Sequence, residues 1–489
     1  MHRKTYIAIS FQRIKEDVLI EDESGKPLKA LLVFSHSVKY LVDKFHQLSK
    51  SQGIGINDDE IMWVLTVPAI WSESAKSFMR KAAVQAGIKN EHLKIALEPE
   101  AASLLCQHIP IERTKEGISV ADVGTTYMVI DLGGGTVDIT VHEKLPRGKL
   151  KEIHKASGGP WGGTAVDEGF IQLLTKVVGG PVINRLRREH IADYLEMMRE
   201  FEVSKRSLDP NGDLSFKVRV PPSLDKICQN ETSEHISSLV TEANSPFAGK
   251  MKIIGDKLVI DRKLMKDIFE HVEKKILVHV QEIMRLPDVA NIDFVLLVGG
   301  FAESMMVQHF MKENLESERR RVIIPPESGL SVVKGAVIYG HHPSIIESRS
   351  VRFTYGYNMS GYFDSDKHPE SRKFIDQYGS VLCKGVFCPF VKAGSSIKTG
   401  ETIREELSLP ERDIHLAVYY TEAEDVMFTD DKRLRKLYTI YLKDILPQNI
   451  KENQTLVYQF SFGETEVGCE IHLPEIGFEG KVPDTFKLE

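Results

Sequence analysis

The chain has 489 residues, 42% of them apolar and 27% charged, with a formal net charge of −7. This is ordinary globular composition, long enough for two to four domains with ample core. The acidic balance, with no basic stripe interleaved with aromatics, argues against a nucleic-acid partner.

The five cysteines (106, 228, 383, 388 and 469) are odd in number and lack CxxC spacing, which fits reduced thiols better than disulfides or zinc. No apolar run is long enough to span a bilayer, and the first residues hold no secretory apolar region. A soluble, cytoplasmic protein is expected.

In chain order, residues 29–50 carry helical periodicity. Ile61–Val67 reads as a buried strand closed by Pro68. Ser72 is placed to cap the next helix, and Gly87 to stop it. A second strand, Leu93–Leu97, runs into Glu98-Pro99-Glu100-Ala101-Ala102-Ser103, with Pro99 at a favoured first helical position. A polar loop covers 112–126. Helices are predicted at about 164–178, 189–208, 261–285 and 327–340, with a hairpin-like turn at Asp209–Gly212 and a strand at Asp293–Val298. From about 350 the pattern becomes β alternation: Ile414–Thr421, Leu437–Leu442, Leu456–Phe462 and Glu466–Leu473, the last two flanking a hairpin loop at Gly463–Thr465. A β-sandwich is expected there, with the boundary near His341–Ser350.

The most informative segment is Tyr127–His142, two apolar runs around Asp131-Leu-Gly133-Gly134-Gly135-Thr136-Val-Asp138. Consecutive glycines let a tight turn aim successive backbone N–H groups inward, a cradle for phosphate oxygens. Carboxylates at both shoulders, Asp131 and Asp138, imply Mg²⁺ or an attacking water between protein and phosphate. Gly299-Gly300-Phe301 after a buried strand allows close approach of a base or diphosphate. Ser157–Thr164, with Gly162 and Gly163, opens a helix where backbone donors suit an anion. Glu202-Val-Ser-Lys205-Arg206 at a helix end reads by itself as a surface charge cluster, and Glu98 as a helix-terminal carboxylate.

Taken together, these elements resemble the 70-kDa heat-shock proteins of the actin-like ATPase superfamily, most closely their divergent 12A/12B-like branch. The residues that carry the resemblance are Val67-Pro68-Ala69-Ile-Trp71, Ala96–Ser103, the Asp131–Asp138 hairpin, Gly162-Gly163, Phe201–Arg206, Val298–Phe301 and Lys334-Gly335-Ala336-Val337. It implies a two-lobe α/β nucleotide-binding domain of the ribonuclease H-like, actin-like ATPase class over 1–345 (lobe I about 1–126 plus 327–342, lobe II about 127–326). A β-rich, substrate-binding-like domain without a helical lid would follow over 350–489. The implied ligands are ATP or ADP with Mg²⁺, and the implied partners are protein or peptide clients and co-chaperones. Gly133, Gly134, Gly135 and Thr136 would form the second phosphate loop, supported by Gly162 and Gly163. Asp131 would hold the Mg²⁺ water shell, with Asp138 close behind, and Glu98 would position metal or attacking water. Glu202, Lys205 and Arg206 would contact ribose and adenine, with Gly299, Gly300 and Phe301 beneath the base.

The family's first phosphate loop and catalytic lysine do not precede Ile61, so the ATPase domain is expected to be N-terminally incomplete. Ala121-Asp122-Val123-Gly124-Thr125-Thr126 spells that loop, but a strand follows it at once, so it reads as an ordinary loop. Losing two or three charge-assisted hydrogen bonds to phosphate would remove roughly 3–9 kcal/mol. The linker His342–Ser348 offers only two large apolar residues where the family's is strongly apolar. The expected function is therefore an ATP-binding, chaperone-like protein with weak or absent hydrolysis. The alternatives are a non-catalytic pseudo-ATPase acting as an interaction or signalling module and, more weakly, a small-molecule kinase of the same fold.

Overall fold

The computed structural model describes residues 17–22, 25–108, 119–212, 215–242, 245–376, 378–409, 415–442, 445–446, 454–462 and 465–481. Expectations for 1–16, for 112–118 of the polar loop, for Ile414 and for Gly463 and Glu464 lie outside the described residues.

A short hairpin, β1 (Leu19–Glu21) and β2 (Pro27–Lys29), leads into α1 (Ala30–Ser51). β3 (Trp63–Val67) and β4 (Leu93–Leu97) pair in parallel through the crossover helix α2 (Glu73–Gln85). Ser72 caps α2 by accepting the Ala75 N–H at 3.3 Å, and Gly87 follows its end at φ +103°. α3 (Glu98–Cys106) leaves β4 directly, with Pro99 in its first turn. Val67, Phe78, Ile95 and Leu97 form a buried cluster against Leu31 and Phe34 of α1.

The next section begins with an antiparallel meander of β5 (Thr126–Leu132), β6 (Val137–Lys144) and β7 (Leu150–Gly159). Three helices follow: α4 (Gly163–Val178), α5 (Gly180–Glu189) and α6 (Ile191–Ser207). The sequence gives no hint of α5, because Gly179-Gly180-Pro181 reads as a breaker. In the structure Gly179 turns the chain at φ +90° and Pro181 starts the new helix. The Asp209–Gly212 turn joins a helix to a strand and is not the hairpin expected. It leads from α6 into β8 (Phe216–Arg219). After α7 (Pro222–Thr232) and α8 (Ile236–Thr241), β9 (Met251–Ile254) and β10 (Lys257–Ile260) complete a sheet of order β8-β10-β9. α9 (Arg262–Met284), capped by Asp261, leads to β11 (Phe294–Val298), α10 (Met305–Leu315), β12 (Arg321–Ile323) and α11 (Ser331–His341).

The central sheet has the order β12-β11-β5-β6-β7-β13-β17, with β13 spanning Ile346–Ser350 and β17 Ser396–Lys398. Both of its faces are covered, which explains the unbroken apolar runs of β5 and β11. On one face Ile130, Ile139 and Leu297 pack with Val166, Phe170 and Phe269. On the other Val129, Leu296 and Val298 pack with Leu104 of α3 and Tyr339 of α11. α11 crosses α3 so closely that a Cβ at Gly335 would stand 1.7 Å from the Ala101 carbonyl oxygen.

The remaining strands are β14 (Thr354–Tyr362), β15 (Lys373–Ile375), β16 (Val381–Val391), β18 (Thr402–Leu409), β19 (His415–Thr421), β20 (Arg435–Tyr441), β21 (Gln454–Ser461), β22 (Gly468–Leu473) and β23 (Phe478–Lys481). They form two sheets, β15-β16-β14-β19-β20 and β18-β21-β22-β23. One core unites them: Tyr355, Val418 and Tyr420 from the first sheet with Leu456, Phe460 and Ile471 from the second. This β-rich unit follows a two-lobe α/β body, the fold class read from the sequence.

The second half of the segment read as a boundary, Ile346–Ser350, is β13, paired in parallel with β7. Polarity hid it, because Arg349 is buried there with a bidentate pair to Glu100 at 2.7 and 2.8 Å. Other ties join the β unit to the body. Arg80 pairs with Glu466 at 2.5 Å, and the Thr465 hydroxyl donates to the Ile95 carbonyl at 2.7 Å.

Candidate functional site

A cleft of about 480 Å³ lies between the two lobes. Its lining includes Glu98, Asp131, Gly133, Gly134, Gly135, Thr136, Gly163, Glu202, Lys205, Arg206, Gly299, Gly300 and Phe301, segments more than 200 positions apart in sequence. Two sequence-marked residues, Asp138 and Gly162, lie behind this lining.

The hairpin turn is held from below. The N–H groups of Gly162, Gly163 and Thr164 donate to the carbonyls of Gly135, Gly133 and Gly134 at 3.3, 3.1 and 2.8 Å. The start of α4 was expected to offer donors to an anion, but these three are engaged by the loop. Gly162 has a packing role: a Cβ there would stand 2.6 Å from the Gly133 oxygen. With its carbonyls turned toward α4, the loop leaves the N–H groups of Gly134 and Gly135 with no acceptor among the described residues. Space for a ligand is open there, since a Cβ on Gly134 would meet nothing within 4 Å.

The β5–β6 register sets Asp131 opposite Asp138, so two carboxylates share one face of the hairpin. Asp131 is buried, and desolvation, then the charges of Glu98 and Asp138, raise its pKa well above the carboxylate range. Burial lifts Asp138 to about 6, against the opposing pull of the Ile70 N–H, the Thr136 side chain, the Ala69 backbone and Arg352. The Ile70 N–H donates to Asp138 Oδ1 at 2.8 Å. Gly299 permits this packing, with φ +87° and an absent Cβ that would stand 2.3 Å from Asp131 Oδ1.

At the other end, Lys205 Nζ is 2.6 Å from Asp167 Oδ1, 2.5 Å from Glu202 Oε2 and 3.1 Å from the Gly163 carbonyl. Arg206 bonds Glu202 at 2.9 Å and Glu303 at 3.1 Å. The charge cluster read from the sequence is thus a closed network on the cleft wall. Asp167, Glu303 and Ser304 were missed in the sequence. Asp167, one turn after Gly163, could have been found from helical spacing alone. Glu303 and Ser304 carry no local signal.

Ala121–Thr126, the loop-like sequence, lies at the far end of β5, roughly 20 Å of strand away at 3.3 Å per residue. Its Gly124 N–H donates to the Lys144 carbonyl, and no residue from 121 to 126 lines the cleft.

Among the described residues no cluster of three ligating side chains could hold a bare metal ion. Asp131 and Glu98 supply two carboxylates in the cleft, the number suited to Mg²⁺ that keeps most of its ligands as water and phosphate.

Comparison with known proteins agrees with this geometry. The sequence model of the family described as "Hsp70 protein" matches residues 55–345. Heat shock 70 kDa protein 12A of Homo sapiens is 31% identical over 91% of this chain and 73% of its own length. Heat shock 70 kDa protein 12B of Homo sapiens is 30% identical over 87% of this chain and 69% of its own length. Chaperone protein DnaK of Thermosipho melanesiensis is 25% identical over 56% of this chain. The chain therefore belongs to the Hsp70 family, in its divergent branch with the 12A and 12B proteins.

Proposed function

We propose that this chain is an adenine-nucleotide-binding, chaperone-like protein that holds ATP or ADP in the cleft and hydrolyses ATP slowly or not at all. One observation carries the reading. A glycine hairpin with two open backbone donors, a carboxylate pair and a glycine-floored slot converge on one cleft of nucleotide size.

In this reading Gly134 and Gly135 donate to phosphate oxygens, and Thr136 closes the turn. Asp131 and Glu98 would hold Mg²⁺ through water, and the bound cation would neutralise phosphate charge. Asp138, fixed by the Ile70 N–H, lies opposite Asp131 across the hairpin. Gly299 and Gly300 let the base approach the backbone, while Glu202 and Lys205 face the ribose. Slow hydrolysis follows from the cations: both basic side chains of the cleft are engaged by carboxylates, and phosphoryl transfer depends on charge neutralisation. The β unit is the proposed surface for protein or peptide clients. No described helix is long and apolar enough to cross a membrane.

Isothermal titration with Mg·ATP and Mg·ADP tests the proposal beside the Gly134→Val variant. Binding by the chain and its loss in a folded variant support it. Absence of binding to a folded chain overturns it.

A further inference from the structure

The ends of the cleft differ in charge. Four carboxylates line it (Glu98, Asp131, Asp167 and Glu202) against two cations, Lys205 and Arg206. An ammonium has three donors, and Lys205 Nζ meets Asp167, Glu202 and the Gly163 carbonyl, so none is left for a ligand. Arg206 is held between Glu202 and Glu303, and Glu303 is fixed in turn by the Gly329 N–H at 3.2 Å. At the hairpin end a phosphate finds two backbone N–H groups but faces Asp131 and Glu98.

The end beneath Gly299–Phe301 is different. Ser304 lines the cleft and is 1% exposed, and its Oγ has no hydrogen-bond partner among the described residues. It sits at the start of α10, yet its side chain caps no N–H of that helix. An unpartnered buried hydroxyl is costly unless a ligand completes it. The floor around it is Gly300 and the Phe301 ring, suited to a flat, uncharged heterocycle.

Resting on the nucleotide reading above, we infer that the cleft selects for the uncharged nucleoside half of its ligand. Ser304 bonds the edge of the base, and each added phosphate weakens binding unless a divalent cation accompanies it. Ser304 anchors the base, and Glu98 at the hairpin end sets the penalty on free phosphate.

The test is isothermal titration of the full chain with adenosine, ADP and ATP, first in EDTA and then in Mg²⁺. In EDTA the affinity is expected to fall from adenosine to ATP by at least about tenfold, the scale of one uncompensated charge contact near a protein surface. Mg²⁺ is expected to remove most of that gap. Ser304→Ala should weaken all three ligands alike by about fivefold, the scale of one hydrogen bond. Glu98→Gln should strengthen ATP in EDTA by a larger factor than it changes adenosine. ATP binding in EDTA as tightly as adenosine, or adenosine binding untouched by Ser304→Ala, would overturn the inference. If ATP is preferred in EDTA and Gly134→Val abolishes binding, the nucleotide reading stands and the inference alone fails. If no adenine ligand binds at all, both fail.

Discussion

Asp138 and Arg352 hold the backbone N–H and the backbone carbonyl of one residue, Ile70. The Ile70 N–H donates to Asp138 Oδ1 at 2.8 Å, and Arg352 Nη1 donates to the Ile70 carbonyl at 2.5 Å. A carboxylate behind the cleft is thus linked through one residue to an arginine just ahead of β14. Arg352 also lowers the Asp138 pKa, so Arg352→Gln is expected to raise it above about 6. Carboxyl NMR titration of Asp138 checks this; an unchanged value would mean that the link carries no charge coupling.

Glu152 gives a second test with a defined sign. Burial and the charge of Glu100 lift its pKa to about 8, against Arg349 and the Ser350 N–H. A carboxyl whose folded pKa is raised stabilises the fold fully below its unfolded value of about 4.5. That contribution is lost as pH rises through the folded value. Stability from this group therefore declines between about pH 4.5 and 8. Glu152→Gln should stabilise the chain at pH 8, by on the order of 2–5 kcal/mol, and change little at pH 4. Denaturant midpoints at both pH values would show it; destabilisation at pH 8 would refute it.

The Glu100–Arg349 pair should behave as a buried ion pair. Arg349→Met or Glu100→Met alone leaves a buried charge unmatched and is expected to cost about 3–5 kcal/mol. The double substitution Glu100→Met with Arg349→Met should recover most of that loss. A double-mutant cycle in urea decides, and additive losses would show that the pair is not coupled.

Much of this was legible in the sequence, and the exceptions share one cause. The hairpin, the Ser72 cap, the crossover β3-α2-β4 and four strands of the β unit, β19 to β22, follow from periodicity and turn residues, which act locally. The convergence of Asp131, Lys205 and Gly299 was read only through resemblance, because no local signal joins positions so far apart. β13 was taken for a linker because its burial depends on Glu100, about 250 residues earlier. Glu303 and Ser304 escaped because their roles exist only once α6 and the segment leading into α10 meet.

The glycines of the cleft separate binding from folding. Gly134→Val puts its side chain into open space, so stability should shift by less than about 0.5 kcal/mol while nucleotide binding is lost. Gly299→Val forces a branched residue to φ +87° against Asp131 and the Leu132 carbonyl. It should cost roughly 3 kcal/mol or more. Thermal unfolding of both variants beside the parent chain checks the contrast, and equal losses would contradict it.

The most direct measurement is amide hydrogen exchange on the chain with and without Mg·ADP. Protection is expected at 131–136, 202–206 and 299–304, the three segments that converge on the cleft. Protection confined to other segments, or none at saturating nucleotide, would contradict a nucleotide site between the lobes.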